Sequence, residues 1–211
     1  VNVDRHFFNN KICIDPQEIY NRLDLGMNGI SPSDFRIDEQ IFTLAFTHSS
    51  YSQTQRNCYE RLEFIGDIVV KLAIGVVLYF SFPTSDDSGL SISSSHYKSN
   101  DTLGRASLKL GLQNLLLSND TIGSSIELNS DAASDMNIAI NKIYGDIFES
   151  STAAMTFCFG LNEAFKFVQQ RVLGNHIHNR PDNPTVDPTS HVIIMFQKYF
   201  QTQPNFHIFE F

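Results

Sequence analysis

The sequence predicts an all-α helical bundle closed by a short C-terminal helix-strand tail, and three observations carry that prediction. Apolar residues recur at spacings of three and four through most of the first 178 positions, which is the period of a helix with one buried face. Stop signals close the periodic stretches, near Gly26, at Phe82-Pro83, near Gly111, at Gly160 and at Gly174-Asn175. Strand-like alternation appears only at the end, from Phe206 to Phe211.

Taken in order, Val1–Gln17 has no period, and Asp15-Pro16 reads as a helix start. Pro16 to Leu25 is a short helix with Ile19, Leu23 and Leu25 inward, ending near Gly26. Asn28-Gly29 and Ser31–Asp34 are loop chemistry. A second helix begins near Asp38, with Ile41, Leu44 and Ala45 on one side, and Tyr51–Asn57 is a polar loop. The strongest helix runs from about Tyr59 to Phe80. Leu62, Ile65, Val69, Leu72 and Val76 form its stripe, and Phe64, Ile68 and Val77 widen it, so little of this helix is expected to face water. Thr84–Ser99 is rich in Ser and Asp and reads as a solvated loop or a loose helix. Helical spacing returns over Asn100–Leu112, Met136–Phe159 and Leu161–Leu173, separated by the polar excursion Ser118–Ser134 and by Gly160. The Pro-rich run 180–188 can be neither helix nor strand interior. The expected organisation is an N-terminal extension (1–36), a helical domain (37–178), a linker (179–189) and a tail (190–211).

Composition narrows the class. The chain has 211 residues, 42% hydrophobic and 18% charged, which is ordinary for a globular protein. No apolar run was expected to span a bilayer, since Lys71 interrupts the longest, and no basic-then-apolar leader opens the sequence. Three Cys without a CxxC pair argue against a zinc ribbon or a disulfide framework and for a reducing, intracellular compartment, cytoplasmic or nuclear. Net charge is −8, which on its own argues against a nucleic-acid binder. Carboxylates that hold divalent cations would reverse that argument locally.

Two helices carry such carboxylates. Glu60, Glu63 and Asp67 are three and four apart, hence on one face of an apolar helix, and Asp146 and Glu149 repeat the arrangement in another. Stacked like charges repel, and burying them unpaired costs several kcal/mol, about 3–5 on the usual scale. If the two helices pack together, Glu63, Asp67, Asp146 and Glu149 could converge on a hard cation, oxygen ligands favouring Mg²⁺ or Mn²⁺ over zinc. Spacing alone leaves a second reading open, in which Arg61, Lys71 and Lys142 neutralise the acids as surface ion pairs.

The local wording goes further. "CYERLEFIGDIVV" (Cys58–Val70) resembles the signature of the ribonuclease III family, E-R-L-E-F-x-G-D, at every fixed position. "LAFTHSSY" (Leu44–Tyr51), "SNDTLGRASLKLGL" (Ser99–Leu112) and "KIYGDIFESSTAAM" (Lys142–Met155) resemble its upstream helix, its Asn-containing helix and its second acidic helix, in the family's order. The last is closer to the eukaryotic, Dicer-type branch than to the bacterial one. The likeness runs from about Glu39 to Gly174.

The resemblance implies a ribonuclease III endonuclease fold and a Mg²⁺-dependent endoribonuclease, with Mn²⁺ as substitute, that cuts double-stranded RNA by a two-metal hydrolysis. The ends left would be a 5′ phosphate and a 3′ hydroxyl, in RNA processing or RNA silencing. It implies that Glu63, Asp67, Asp146 and Glu149 are the metal-binding catalytic acids and that Lys142 meets the scissile phosphate. Glu60 becomes a secondary site residue and Phe64 a contact across a homodimer, where a plain core role is the alternative. The other function classes are a catalytically idle ribonuclease III-like scaffold and a double-stranded-RNA-binding protein. With the five site acids set aside, net charge moves from −8 to −3, so RNA affinity of this piece is expected to be weak and salt-sensitive. Ser91–Ser95 stands where relatives often carry Arg or Lys, which points the same way and to a separate RNA-binding domain or protein. Asp187–Phe211 is either a packed tail, the reading preferred here, or the start of a double-stranded-RNA-binding domain. His176, His178 and His191 read as ordinary surface residues, His48 as structural, and Cys58 as no nucleophile.

Overall fold

The computed structural model describes residues 14–23, 25–28, 39–52, 57–119 and 138–174. Among these, seven α-helices appear: α1 Pro16–Leu23, α2 Glu39–Ala45, α3 Glu60–Ser81, α4 Asp87–Tyr97, α5 Asn100–Leu110, α6 Ile138–Phe159 and α7 Leu161–Val168. Short 3-10 turns follow α1 and α5, and α7 runs on as a wider π-type turn over Gln169–Leu173. The linker and tail expected beyond residue 178 lie outside the described residues, as do the N-terminal extension before Ile14 and most of the Ser118–Ser134 excursion.

The centre of the bundle is α6. Every residue from Tyr144 to Met155 is buried, so this helix has no solvent face along three turns. It packs on α2, α3, α5 and α7. Its interior polar residues are satisfied locally: Ser151 and Thr152 donate to the carbonyls of Ile147 and Phe148 one turn back. Ser150 donates to the carbonyl of Ala45 at 2.7 Å and so fastens α6 to the end of α2. Aromatic side chains fill much of the remaining volume, with Phe148 stacked on Phe167 at 5.2 Å between ring centres.

The approach of α3 to α6 is closest at Gly66. A Cβ on that residue would overlap the backbone carbonyl of Glu149, so only glycine permits the crossing. The segment leading into α3 is held by a single parallel β-bridge between Thr47 and Leu117. The backbone N–H of Tyr59 then donates to the Thr47 carbonyl at 2.9 Å. At the far side, Gly111 ends α5 in the left-handed region, φ 68°, and its carbonyl accepts from Arg22 of α1 at 3.0 Å.

Two expectations change. Thr84–Ser99 takes the helical alternative: Asp86 caps α4 by accepting from the Gly89 N–H at 2.8 Å, and none of its residues is buried. The expectation that little of α3 faces water is also corrected. Leu62, Val69, Val70, Ala73, Ile74 and Leu78 enter the core. Phe64, Ile68, Leu72, Val76, Tyr79 and Phe80 stand exposed, with Phe64 at 66% and Phe80 at 76%. The first four are spaced by four and make a continuous apolar stripe down one side. This is why the 22-residue α3 also has the length and apolar composition to cross a membrane, which the sequence reading did not anticipate. Its inner face is instead packed on α6.

The crossing yields a paired prediction. Gly66→Ala should destabilise the chain by more than about 2 kcal/mol through overpacking. Gly75→Ala, on the same helix with open space around it, should stabilise by about 0.5–1 kcal/mol through helix propensity. Urea unfolding of both variants measures the contrast.

Candidate metal centre

Because α3 and α6 meet at Gly66 and Glu149, Glu149 itself, Asp67 beside Gly66, and Glu63 and Asp146 three residues earlier on each helix all lie at the crossing. Oxygens of Glu63, Asp146 and Glu149 all lie within 4.8 Å of one another. They line an open cleft of about 390 Å³ together with Glu60, Asp67, Phe64, Lys71, Lys98, Asn100 and Lys142. All six charged residues expected from the sequence therefore border one cleft. Asp146 and Glu149 are buried, Glu63 and Asp67 half-buried, and Glu60 exposed.

Lys142, one turn before Asp146, bonds both of its carboxylate oxygens at 3.0 and 2.8 Å, and lies 3.7 Å from Glu63. Asp67 is not in the convergent trio; its Oδ2 is 2.6 Å from Lys71 Nζ on the next turn of α3. The ion-pair reading of the acids is thus present in part, for Asp67, Asp146 and, more loosely, Glu63. Among the described residues no lysine or arginine comes within ion-pair distance of Glu149.

The electrostatics follow from burial and crowding. Glu149 is pushed up to about 8, first by burial and then by the charges of Asp67, Asp146 and Glu63. Burial also raises Asp146, against the pull of Lys142, and raises Glu63, with Asp146 adding to it. Burial works against the charge on Lys142, yet its bonds to Asp146 and the nearby carboxylates hold it above the ordinary lysine range. Carboxylates that resist ionisation while offering only oxygen donors fit a hard divalent cation, whose charge would offset their repulsion.

Four residues not anticipated at the site surround it. The Tyr59 hydroxyl reaches Asp146 Oδ2 at 3.5 Å, and its ring packs edge-on against His48 at 5.7 Å. Asn100 opens α5 against Gly145, where a Cβ would meet its Oδ1 at 3.1 Å. Lys71 and Lys98 reach the rim. Of these, Lys71 had a sequence signal in its i+4 spacing from Asp67, and Asn100 one in the likeness of Ser99–Leu112 to the family's Asn-containing helix. Phe64 stands at the edge of the cleft and belongs to the exposed stripe, not to the core. Burial raises the Cys58 thiol, consistent with an inert side chain. His48 is half-buried and bonded to Ser50 Oγ at 2.8 Å, which is a structural placement.

Comparison with known proteins gives the same architecture. A family model described as ribonuclease-III-like matches residues 38–176. Ribonuclease 3 of Azobacteroides pseudotrichonymphae is 30% identical over 155 residues, 72% of this chain and 52% of that protein. Ribonuclease 3 of Treponema denticola is 29% identical over 175 residues, 81% of this chain and 67% of that one. This chain spans about half the length of most such relatives. Among solved structures, the nuclease domain of Campylobacter jejuni ribonuclease III superposes with a TM-score of 0.58 at 20% identity, covering 80% of this chain and 97% of that one. Giardia Dicer superposes with a TM-score of 0.51 at 21% identity, covering 76% of this chain and 20% of the larger protein.

The raised Glu149 predicts a pH signature without metal. Its folded value lies above its unfolded one, so the stability it contributes is complete below about pH 4.5 and is lost as pH rises toward 8. Thermal melts in EDTA should fall across that window, and Glu149→Gln should flatten the fall. Added Mg²⁺ should restore the wild type most strongly near pH 8.

Proposed function

We propose, from the premise that this chain belongs to the ribonuclease III-like family, that it is an endoribonuclease that hydrolyses double-stranded RNA with Mg²⁺, or Mn²⁺ in its place. The observation that carries this reading is the convergence of Glu63, Asp146 and Glu149 within 4.8 Å at the mouth of an open cleft. An idle scaffold would have no use for three crowded carboxylates whose ionisation the fold opposes.

Glu63, Asp146 and Glu149, joined by Asp67, would hold the divalent ions. Bound there, two such ions would supply an activated water and charge stabilisation of the leaving 3′ oxygen in an in-line displacement. The chain's own residues supply the rest. Glu149, buried and without a cationic partner among the described residues, is held rigidly by α6 and has the most to gain from a cation. Lys142 places its ammonium between Glu63 and Asp146, where it would meet a non-bridging oxygen of the scissile phosphate. Tyr59 steadies Asp146 from beneath. Glu60, exposed at the rim, would shape the path of the strand. The ends produced would be a 5′ phosphate and a 3′ hydroxyl.

The exposed stripe Phe64, Ile68, Leu72 and Val76 supports a homodimer, because water contact along it costs about 25 cal/mol per Å² and a two-fold axis would cover it with its own copy. Two clefts would then act on the two strands of an A-form duplex, read by shape and 2′-hydroxyls. With −8 net charge and a serine-rich α4, the chain would bind RNA weakly alone and would depend on a separate RNA-binding domain or protein. Cys58 and Cys158, neither in a disulfide among the described residues, accord with a reducing, intracellular setting.

Incubation of the chain with long duplex RNA tests the activity. Cutting is expected with Mg²⁺, none with EDTA, and a loss in Glu149→Gln no smaller than the roughly 10–100-fold that residues supporting a metal ligand carry. Cutting that persists in EDTA, or in that variant at the wild-type rate, would refute the reading. For the assembly, Phe64→Asp should shift sedimentation from dimer to monomer, because a carboxylate would be buried without a partner.

A further inference from the structure

Of the four acids proposed to hold the metal, Asp67 is the one that does not join the others. Asp67 lies one turn beyond Glu63 on the face of α3 that meets α6, yet its Oδ2 is 2.6 Å from Lys71 Nζ. Lys71 itself lines the cleft and lies close enough to Glu149 to oppose that residue's raised pKa. The ammonium therefore stands beside the carboxylate cluster as an internal counter-ion. Resting on the metal-centre reading above, we propose that Lys71 is a positioning residue that competes with the divalent cation for Asp67, so that the centre is completed only when the cation displaces it.

The strength of the contact suits a yielding competitor. Lys71 and Asp67 are an i,i+4 pair with side chains 52% and 35% exposed. Such exposed pairs hold their partners by no more than about fivefold. A cation that also gains Glu63, Asp146 and Glu149 outweighs that hold. The pair then sets a threshold: at low metal Asp67 stays with Lys71, and the centre offers three carboxylates; at higher metal it offers four. Lys142 differs, because its two bonds go to the buried Asp146, and its place between two acids suits a substrate contact.

A plain charge effect would act through any lysine of the cleft, so the test compares two. Lys98 lines the same cleft, and among the described residues no carboxylate pairs with it. Mn²⁺ binding to the full chain, without RNA, is measured by electron paramagnetic resonance at fixed ionic strength for wild type, Lys71→Met, Lys71→Arg and Lys98→Met. Lys71→Met should bind Mn²⁺ about two- to fivefold more tightly. Lys71→Arg, which keeps the pair, should stay near wild type, and Lys98→Met should tighten less than Lys71→Met. Equal tightening in Lys71→Met and Lys98→Met, or none in Lys71→Met while the wild type binds, would overturn the competition and leave the metal centre standing. Absence of Mn²⁺ binding to the wild type would instead overturn the centre itself, and this inference with it.

Discussion

The site depends on one close contact: the backbone of α3 at Gly66 against the Glu149 carbonyl of α6. Helices usually lie 8–10 Å apart because side chains separate them. Here a residue without a Cβ removes that separation at a single point. Glu63, one turn before Gly66, is thereby brought within 4.8 Å of Glu149 and of Asp146 one turn before it, although more than eighty positions divide Glu63 from either in sequence. The remaining fold serves this contact. The burial of α6 from Tyr144 to Met155 holds one side rigid. The Thr47–Leu117 bridge and the Tyr59–Thr47 hydrogen bond hold the start of the other.

That closeness stores repulsion. Burial raises Glu63, Asp146 and Glu149, neighbouring carboxylates add to it at Glu63 and Glu149, and among the described residues two ammonium groups answer, Lys142 on Asp146 and Glu63 and Lys71 on Asp67. Glu149 is left to burial. A protein selected for stability alone would replace such a cluster with apolar residues of similar volume. Its presence at the mouth of a cleft is the physical case for a bound cation, and through the cation for phosphate chemistry. The same reasoning reconciles an acidic chain with the polyanionic substrate proposed for it, since the attraction is local.

Much of this was legible in the sequence, for reasons that also mark where reading stopped. Periodicity located α3, α5, α6 and α7 because each buries a face along its length. It left α4 undecided because that helix buries nothing, and its serines carry no apolar rhythm. It misjudged the exposure of α3 because the helix is apolar on two sides. Period and composition are blind to whether an apolar face meets the core or another molecule. The acids were readable as two sets at helical spacing, but their union was not, since it depends on the crossing at Gly66. Tyr59 and Lys98 went unseen because a hydroxyl and an ammonium with no patterned neighbours leave no trace until the chain folds, and Asn100 was legible only as part of an Asn-containing helix, not as a neighbour of the acids. Lys71 could be read only as an ion-pair partner, which is half of its position.

The central claim is that the α3–α6 crossing builds a divalent-cation centre, and diffraction tests it most directly. Crystals of the chain grown with Mn²⁺ and measured near the manganese edge locate the ion by its anomalous signal. The account predicts a peak bounded by carboxylate oxygens of Glu63, Asp146 and Glu149. Manganese bound only elsewhere, with those three acids held by lysines or protonated, would contradict it.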